Sequence, residues 1–387
     1  MKDATVRINR KMWIKSVVGG LMLPLSAGLL AITAGCGAGT MVTKTTKTMN
    51  PVTPTITKAL WVANGTNVLE YLPSQLSSTS SSMAPHLVNN SGAFGAPQGV
   101  TFDAAGDLWV IDGGTVAAGG TVKPALYEFT PAQLADLGKV NNPMPNITIN
   151  SAEFTFPQQA VFDPMGNLWV SDNGSNAVFV FTPTQLAATN TNAMPNVSIT
   201  SNPAFIGPLG ITFDALGDLW VANNASTTIF EFKAARLPGV TTGAATNAAV
   251  TLMPDVTLSD DGKGSVQAPW ALIFDANGDL WSSNANAPNT VVEFAKAQLN
   301  MAGSPTPAVT LSPAIVVGNS TLAAPNGIAF DNLGDLAAIS SATPFGGALF
   351  AQKQLVVGGA VPPGIFLVGG ATTLNAPAGC NFGPVVE

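Results

Sequence analysis

Two recurring sets of residues carry whatever chemistry this chain of 387 residues could do. The first set stands one position after a recurring proline: Gln98, Gln158, Leu209, Trp270, Asn326 and Ala378. The second set closes a recurring apolar strand: Asn64, Asp112, Asp172, Asn223, Asn284 and Ser340. In the first set, the amides of Gln98, Gln158 and Asn326 donate and accept hydrogen bonds without charge, and Trp270 adds an aromatic wall. That combination suits a neutral polar ligand such as a sugar or a peptide backbone. In the second set, Asp112, Asp172, Asn223 and Asn284 could also touch a ligand. Asn64-Gly65 and Asp112-Gly113 are tight-turn dipeptides, however, and short polar side chains at every turn suit capping better than catalysis.

Other chemistries find little support. The single histidine, His86, lies in a copy of an outer strand, away from the first set, so no Ser/His/Asp arrangement is expected. The two cysteines, Cys36 and Cys380, lack the spacing of a metal site. No acid–base pair poised near neutrality is evident, so no catalytic residue, metal ligand or cofactor is assigned. Residues 1–36 hold five basic residues and one acid; removing them from 15 basic and 22 acidic leaves a body of about −11. Such a body is a poor partner for nucleic acid or an anionic surface.

The elements that must position these residues repeat. Phe213-Asp214-Ala215-Leu216-Gly217-Asp218-Leu219-Trp220-Val221 recurs at Phe102–Val110, Phe162–Val170, Phe274–Ser282 and Phe330–Ala338. Asp opens a turn, Gly takes its left-handed position, and Leu-Trp-Val is apolar on both faces, so the hairpin must be covered on both sides. Pro97, Pro157, Pro208, Pro269, Pro325 and Pro377 each precede a phenylalanine by five residues. A third strand ends in a short turn, where Thr130-Pro131 and Thr182-Pro183 read as an N-cap with a first-turn proline. A fourth, short outer strand follows Pro145, Pro195, Pro254 and Pro307, with weaker copies after Pro85 and Pro363.

These repeats predict an all-β, six-bladed β-propeller of four-stranded blades over residues 58–387. The N-terminal copy starts at Leu60-Trp61 without its first strand, and the tail, Gly379–Phe382, supplies that strand alone. Pairing the two closes the ring and removes exposed sheet edges. The repeated Trp and Phe are expected as blade-packing core. Cys380 reads as a small buried hydrophobe.

Residues 1–35 form a targeting segment, basic to Lys15, then apolar, then small at Thr33-Ala34-Gly35 before Cys36. This resembles a bacterial lipoprotein signal peptide. The resemblance implies a lipidated Cys36, a membrane-anchored protein of the cell envelope, and outer-membrane sorting in a Gram-negative cell, with the chain in the periplasm or at the cell surface. Residues 36–57 are Thr-rich and read as a flexible tether. With Cys36 acylated, no intramolecular disulfide could form.

The Phe-Asp-x-x-Gly-Asp/Asn-Leu-Trp-Val unit looks like an NHL repeat, and is similar to the gluconolactonase/regucalcin-like six-bladed propellers. The resemblance is specific for fold. It allows two functions: a non-catalytic binding module at the axial mouth, or a metal-dependent lactonase-type hydrolase. In the lactonase-like family a divalent metal is held by Glu, Asn and Asp. Pro325-Asn326-Gly327 resembles the Asn-bearing loop, and Asp112 or Asp172 could contribute, but Gln98 and Gln158 stand where a Glu would be needed, and an amide is a poor ligand for a hard cation. Virginiamycin-lyase-like propellers use a His base, which His86 does not match. The expected partners are an envelope protein or a neutral polar small molecule, with the protein a monomer and the membrane reached through the lipid anchor.

Overall fold

The computed structural model describes residues 55–77, 86–88, 94–117, 120–136, 143–239, 247–312, 323–342, 346–356, 358–359, 363–367 and 374–385. The targeting segment and nearly all of the tether lie outside these residues.

Six β-sheets form a ring. Blade 2 comprises Pro97–Phe102, Leu108–Asp112, Ala125–Phe129 and Ile147–Ile149 from axis to rim. Blades 3 to 6 repeat the plan from innermost strands Pro157–Phe162, Pro208–Phe213, Pro269–Phe274 and Pro325–Phe330. In blade 1, Pro377–Gly383 lies innermost against Ala59–Asn64, followed by Asn67–Tyr71 and His86–Val88. The register sets Leu60 opposite Phe382 and Val62 opposite Cys380. Each innermost strand touches the next, and Pro377–Gly383 touches both Pro97–Phe102 and Pro325–Phe330, so the ring is closed. This is the six-bladed propeller with the split blade that the repeats required.

The repeated aromatics pair across blades. Trp61 meets Phe102, Trp109 meets Phe162, Trp169 meets Phe213, Trp220 meets Phe274 and Trp281 meets Phe330, all edge-on with centroids 5.4–6.1 Å apart. Each such pair adds about 0.5–1.5 kcal/mol beyond area burial. At the last interface Ala337 replaces Trp and shares a cluster with Phe382. The core is thus six inter-blade clusters rather than one central one.

The turns follow the sequence closely. In five blades the turn aspartate accepts, on one oxygen, the backbone N–H groups two and four residues on, as Asp214 does from Leu216 and Asp218. Gly217 takes φ +80° there, free for a residue without Cβ. Thr130 and Thr182 cap short helices, each in a capping box with Gln133 or Gln185. Gln133 and Gln185 also donate to the carbonyls of Met144 and Met194, pinning the loop that leads into the outer strand.

Two features were not foreseen. Blade 3 gains a fifth strand, Ala248–Leu252, parallel to Val197–Ser201, which covers its outer edge. Single parallel bridges Ile149–Asn190, Leu258–Gly303 and Leu311–Gly359 do the same for blades 2, 4 and 5. In blades 2 to 5 the outer edge is therefore held by the following repeat, which hides groups that would otherwise template aggregation. A hairpin of Thr115–Ala117 and Gly120–Val122 is also inserted in blade 2 immediately after Asp112. Among the described residues no helix is long and apolar enough to cross a membrane.

Candidate functional site

The mouth is built by a bulge. In each blade the register between the innermost and second strands shifts at the proline end, beside the residue that follows the proline. Such a bulge turns a side chain out of the ladder. The same geometry packs the innermost strands tightly around the axis. A Cβ on Gly99 would lie 2.7 Å from the Gln158 carbonyl oxygen, and one on Gly379 would lie 2.5 Å from that of Gln98. Gly210 abuts the Trp270 carbonyl and Gly327 the Cys380 amide in the same way. In the four blades where a glycine follows the variable residue it is thus a demand of neighbouring backbone, and the six variable residues are brought into one ring. Below them a narrow axial cavity of about 120 Å³ is lined by residues that include Gln159, Ile211, Ile273 and Cys380. Burial pushes the Cys380 thiol pKa far above its usual value.

The four first-set candidates differ in exposure. Gln98 and Trp270 keep some surface. Gln158 and Asn326, at the same position of other blades, are only 2% and 4% exposed. The Gln98 side chain donates to the Ala96 carbonyl at 3.1 Å. The Asn326 Oδ1 atom is buried and has no donor.

The second-set candidates Asp112, Asp172, Asn223 and Asn284 are all fully buried, and each clamps the loop that enters the innermost strand of its own blade. Asp112 accepts from the N–H groups of Gly95, Ala96 and Gly114 at 2.7–2.9 Å. Asp172 accepts from Thr155, Phe156 and Ser175 at 2.9–3.2 Å. Burial raises the Asp112 carboxyl pKa, and the three backbone donors partly offset this. Asn223 accepts from Ile206 N–H at 2.5 Å and donates to Thr228. Asn284 accepts from Gln267 N–H and donates to Gly264, Ser265 and Thr290. Asn64 and Ser340 hold Asn375 and Ala323 likewise.

The choice of acid or amide follows the backbone. Where the second-set residue is Asp, two consecutive N–H groups precede the proline and both point at the carboxylate. Where it is Asn or Ser, the residue before the proline is left-handed instead: Gly207, Ala268, Ala324 and Ala376 have φ of 48–67°. That leaves one backbone donor for each asparagine, whereas the Ser340 hydroxyl donates to the Ala323 carbonyl instead. Three of these four are alanines, and a left-handed L-residue costs about 1–2 kcal/mol. Backbone strain is therefore concentrated at the mouth.

His86 lies on the outermost strand of blade 1, paired with Glu70 across the ladder at 2.9 Å. Two rim residues were missed. Phe156 and Ile206 sit in the loops before Pro157 and Pro208 and are 36% and 51% exposed. The Phe156 ring packs against the backbone of Gly113. An apolar residue one or two positions before the mouth proline was the available signal. Cys36 lies outside the described residues.

The architecture defines the chain as a six-bladed β-propeller. No protein-family model matches its sequence, and no curated protein does either. Solved structures do. A protein of unknown function from Bacteroides caccae is 11% identical with a TM-score of 0.52, covering 84% of this chain and 99% of that one. A protein from Lactobacillus plantarum is 16% identical with a TM-score of 0.45, covering 84% and 99%. Virginiamycin B lyase from Staphylococcus aureus is 15% identical with a TM-score of 0.37, covering 68% and 69%. At these identities the likeness concerns the fold alone.

Proposed function

We propose that this protein is a lipid-anchored, exported propeller of NHL-type repeats that binds a neutral polar ligand or an envelope protein at its axial mouth and carries out no catalysis. The observation that supports this most is the fate of the two mouth carboxylates. Asp112 and Asp172 are fully buried and their oxygens are taken by backbone N–H groups. The candidate and rim residues that keep surface around the axis are uncharged: Gln98, Trp270, Phe156 and Ile206. A flat aromatic and an uncharged amide carried by different blades of one mouth suit a sugar ring or a peptide unit. The same observation weighs against the lactonase, whose metal would draw on Asp112 or Asp172 and would first have to strip backbone donors from them. Anchoring rests on the signal ending at Cys36 and places the chain in the cell envelope.

The test is a thermal-shift screen of the full chain against neutral oligosaccharides and short peptides. One class should raise the melting temperature, and Gln98→Ala or Trp270→Ala should weaken its binding about tenfold without lowering stability. Metal-dependent lactone hydrolysis, lost in Asn326→Ala, would overturn the reading. For the anchor, the natural chain should incorporate labelled fatty acid and Cys36→Ser should not; equal labelling of both would remove Cys36 as the acceptor.

A further inference from the structure

On the face opposite the mouth, Asp214, Asp218 and Glu231 converge, with one oxygen of each within 4.8 Å of the others. That span is twice a calcium–oxygen distance of about 2.4 Å and exceeds twice the roughly 2.1 Å that magnesium demands. Asp214 contributes from the turn, Asp218 from the residue before the second strand, and Glu231 from the third strand opposite Trp220. Two of the three carboxylates meet the Lys233 ammonium, which lies 2.9 Å from Asp218 Oδ2 and close against Glu231 Oε1.

Two buried atoms here are unsatisfied. Glu231 is 1% exposed and its Oε2 has no partner. Trp220 is also 1% exposed and its Nε1 has no acceptor. The corresponding Trp109, Trp169 and Trp281 each donate to their turn aspartate at 3.0–3.3 Å. Related positions elsewhere are filled by amides: Asn146 donates to Glu128, and Asn167 donates to Asp163. At Asp214 no amide takes this role, and a buried carboxylate oxygen left without a donor costs about 1–3 kcal/mol or more.

We propose that Asp214, Asp218 and Glu231 hold a calcium ion on the turn face, and that the Lys233 ammonium stands in for the ion until it is displaced. Calcium would engage the idle Glu231 Oε2, balance the surplus negative charge and tie the turn to the third strand of blade 4. Lys233 has the reach to withdraw, because 42% of its side chain is exposed. A site with a built-in competitor binds weakly, in the range of about 10⁻⁴–10⁻³ M found for extracellular modules.

The test uses the full chain stripped of metal, titrated with calcium chloride by calorimetry and by melting temperature. Calcium should bind and raise the melting temperature, with magnesium at least tenfold weaker. Lys233→Met should tighten calcium about tenfold or more, because the competing ammonium is gone. Glu231→Gln should weaken it about tenfold. No heat and no stabilisation at about 10 mM calcium in either the natural chain or Lys233→Met would overturn the proposal, as would binding that Glu231→Gln leaves unchanged. If Glu231→Gln does not fold, Lys233→Met alone decides: tightening supports the site and its absence removes it.

Discussion

Trp61 donates its indole N–H to the carbonyl of Pro384 at 3.3 Å, across 323 residues of sequence. In blades 2, 3 and 5 the equivalent indole donates to the aspartate of its own hairpin turn. Blade 1 has no such turn, because its first two strands come from opposite ends of the chain. The tail replaces the turn with a backbone carbonyl as well as supplying the strand. Deleting Pro377–Glu387 should therefore leave Ala59–Asn64 unpaired on one side and the ring open. The expected result is loss of cooperative thermal unfolding and aggregation on gel filtration, with a peptide spanning residues 374–387 restoring solubility in trans.

The carboxylate–amide pattern of the second set predicts a loss of stability when acid and amide are exchanged in either direction. Asp112→Asn can keep one oxygen for Ala96 and Gly114 but then turns its NH₂ group against the Gly95 N–H, and should cost about 1–3 kcal/mol in urea denaturation. Asn284→Asp places a carboxylate against the carbonyls of Gly264 and Ser265, with a similar loss at neutral pH. That second loss should shrink on acidification, as the new carboxyl becomes a donor. If both variants unfold at the same urea concentration as the natural chain, the clamp is not a stabilising contact.

Close packing at the axis predicts that a single methyl group is too much. Gly379→Ala would press a Cβ into the Gln98 carbonyl oxygen, where the nearest atoms are all backbone of Gln98 and Gly99 and no flexible side chain can yield. The expected loss is about 1–3 kcal/mol, read as a lower melting temperature. Gly303→Ala, where a Cβ meets nothing within 4 Å, should be near neutral.

Glu293 gives a pH signature. Burial first, then the neighbouring Asp279 and Asp275, push its pKa up to about 7. A carboxyl with a folded pKa above its unfolded value binds more protons in the native state. Stability should therefore fall as pH rises from about 4.5 to 7 and level off above. Glu293→Gln should flatten this segment and be more stable at pH 8 by about 1 kcal/mol, a figure discounted for partial exposure. Melting temperatures of both chains across pH 4.5–8 decide it, and parallel profiles would exclude Glu293 as the cause.

Most of the architecture could be read from local rules. Asp-x-x-Gly writes its own turn, because the aspartate oxygen and the left-handed glycine need nothing from elsewhere. The alternation around Leu-Trp-Val demanded cover on both faces, and the missing first strand before Leu60 together with the spare one at Gly379–Phe382 required closure. The outer belt was not legible: Ala248–Leu252 is short, half exposed and parallel to a strand in the preceding repeat, so no local period marks it.

The sequence by itself determined the blades, their number, the split and the ring of uncharged residues behind the prolines. Only the tertiary structure decided what the polar residues do. Asp112 and Asp218 are the same residue type, each beside an apolar strand. One is consumed by three backbone donors that converge on it at the mouth, and the other takes a single backbone N–H, from Ala234, and stands among carboxylates with one lysine at the turn face. Which donors surround a carboxylate depends on loops and strands distant in sequence, and no spacing along the chain encodes that encounter.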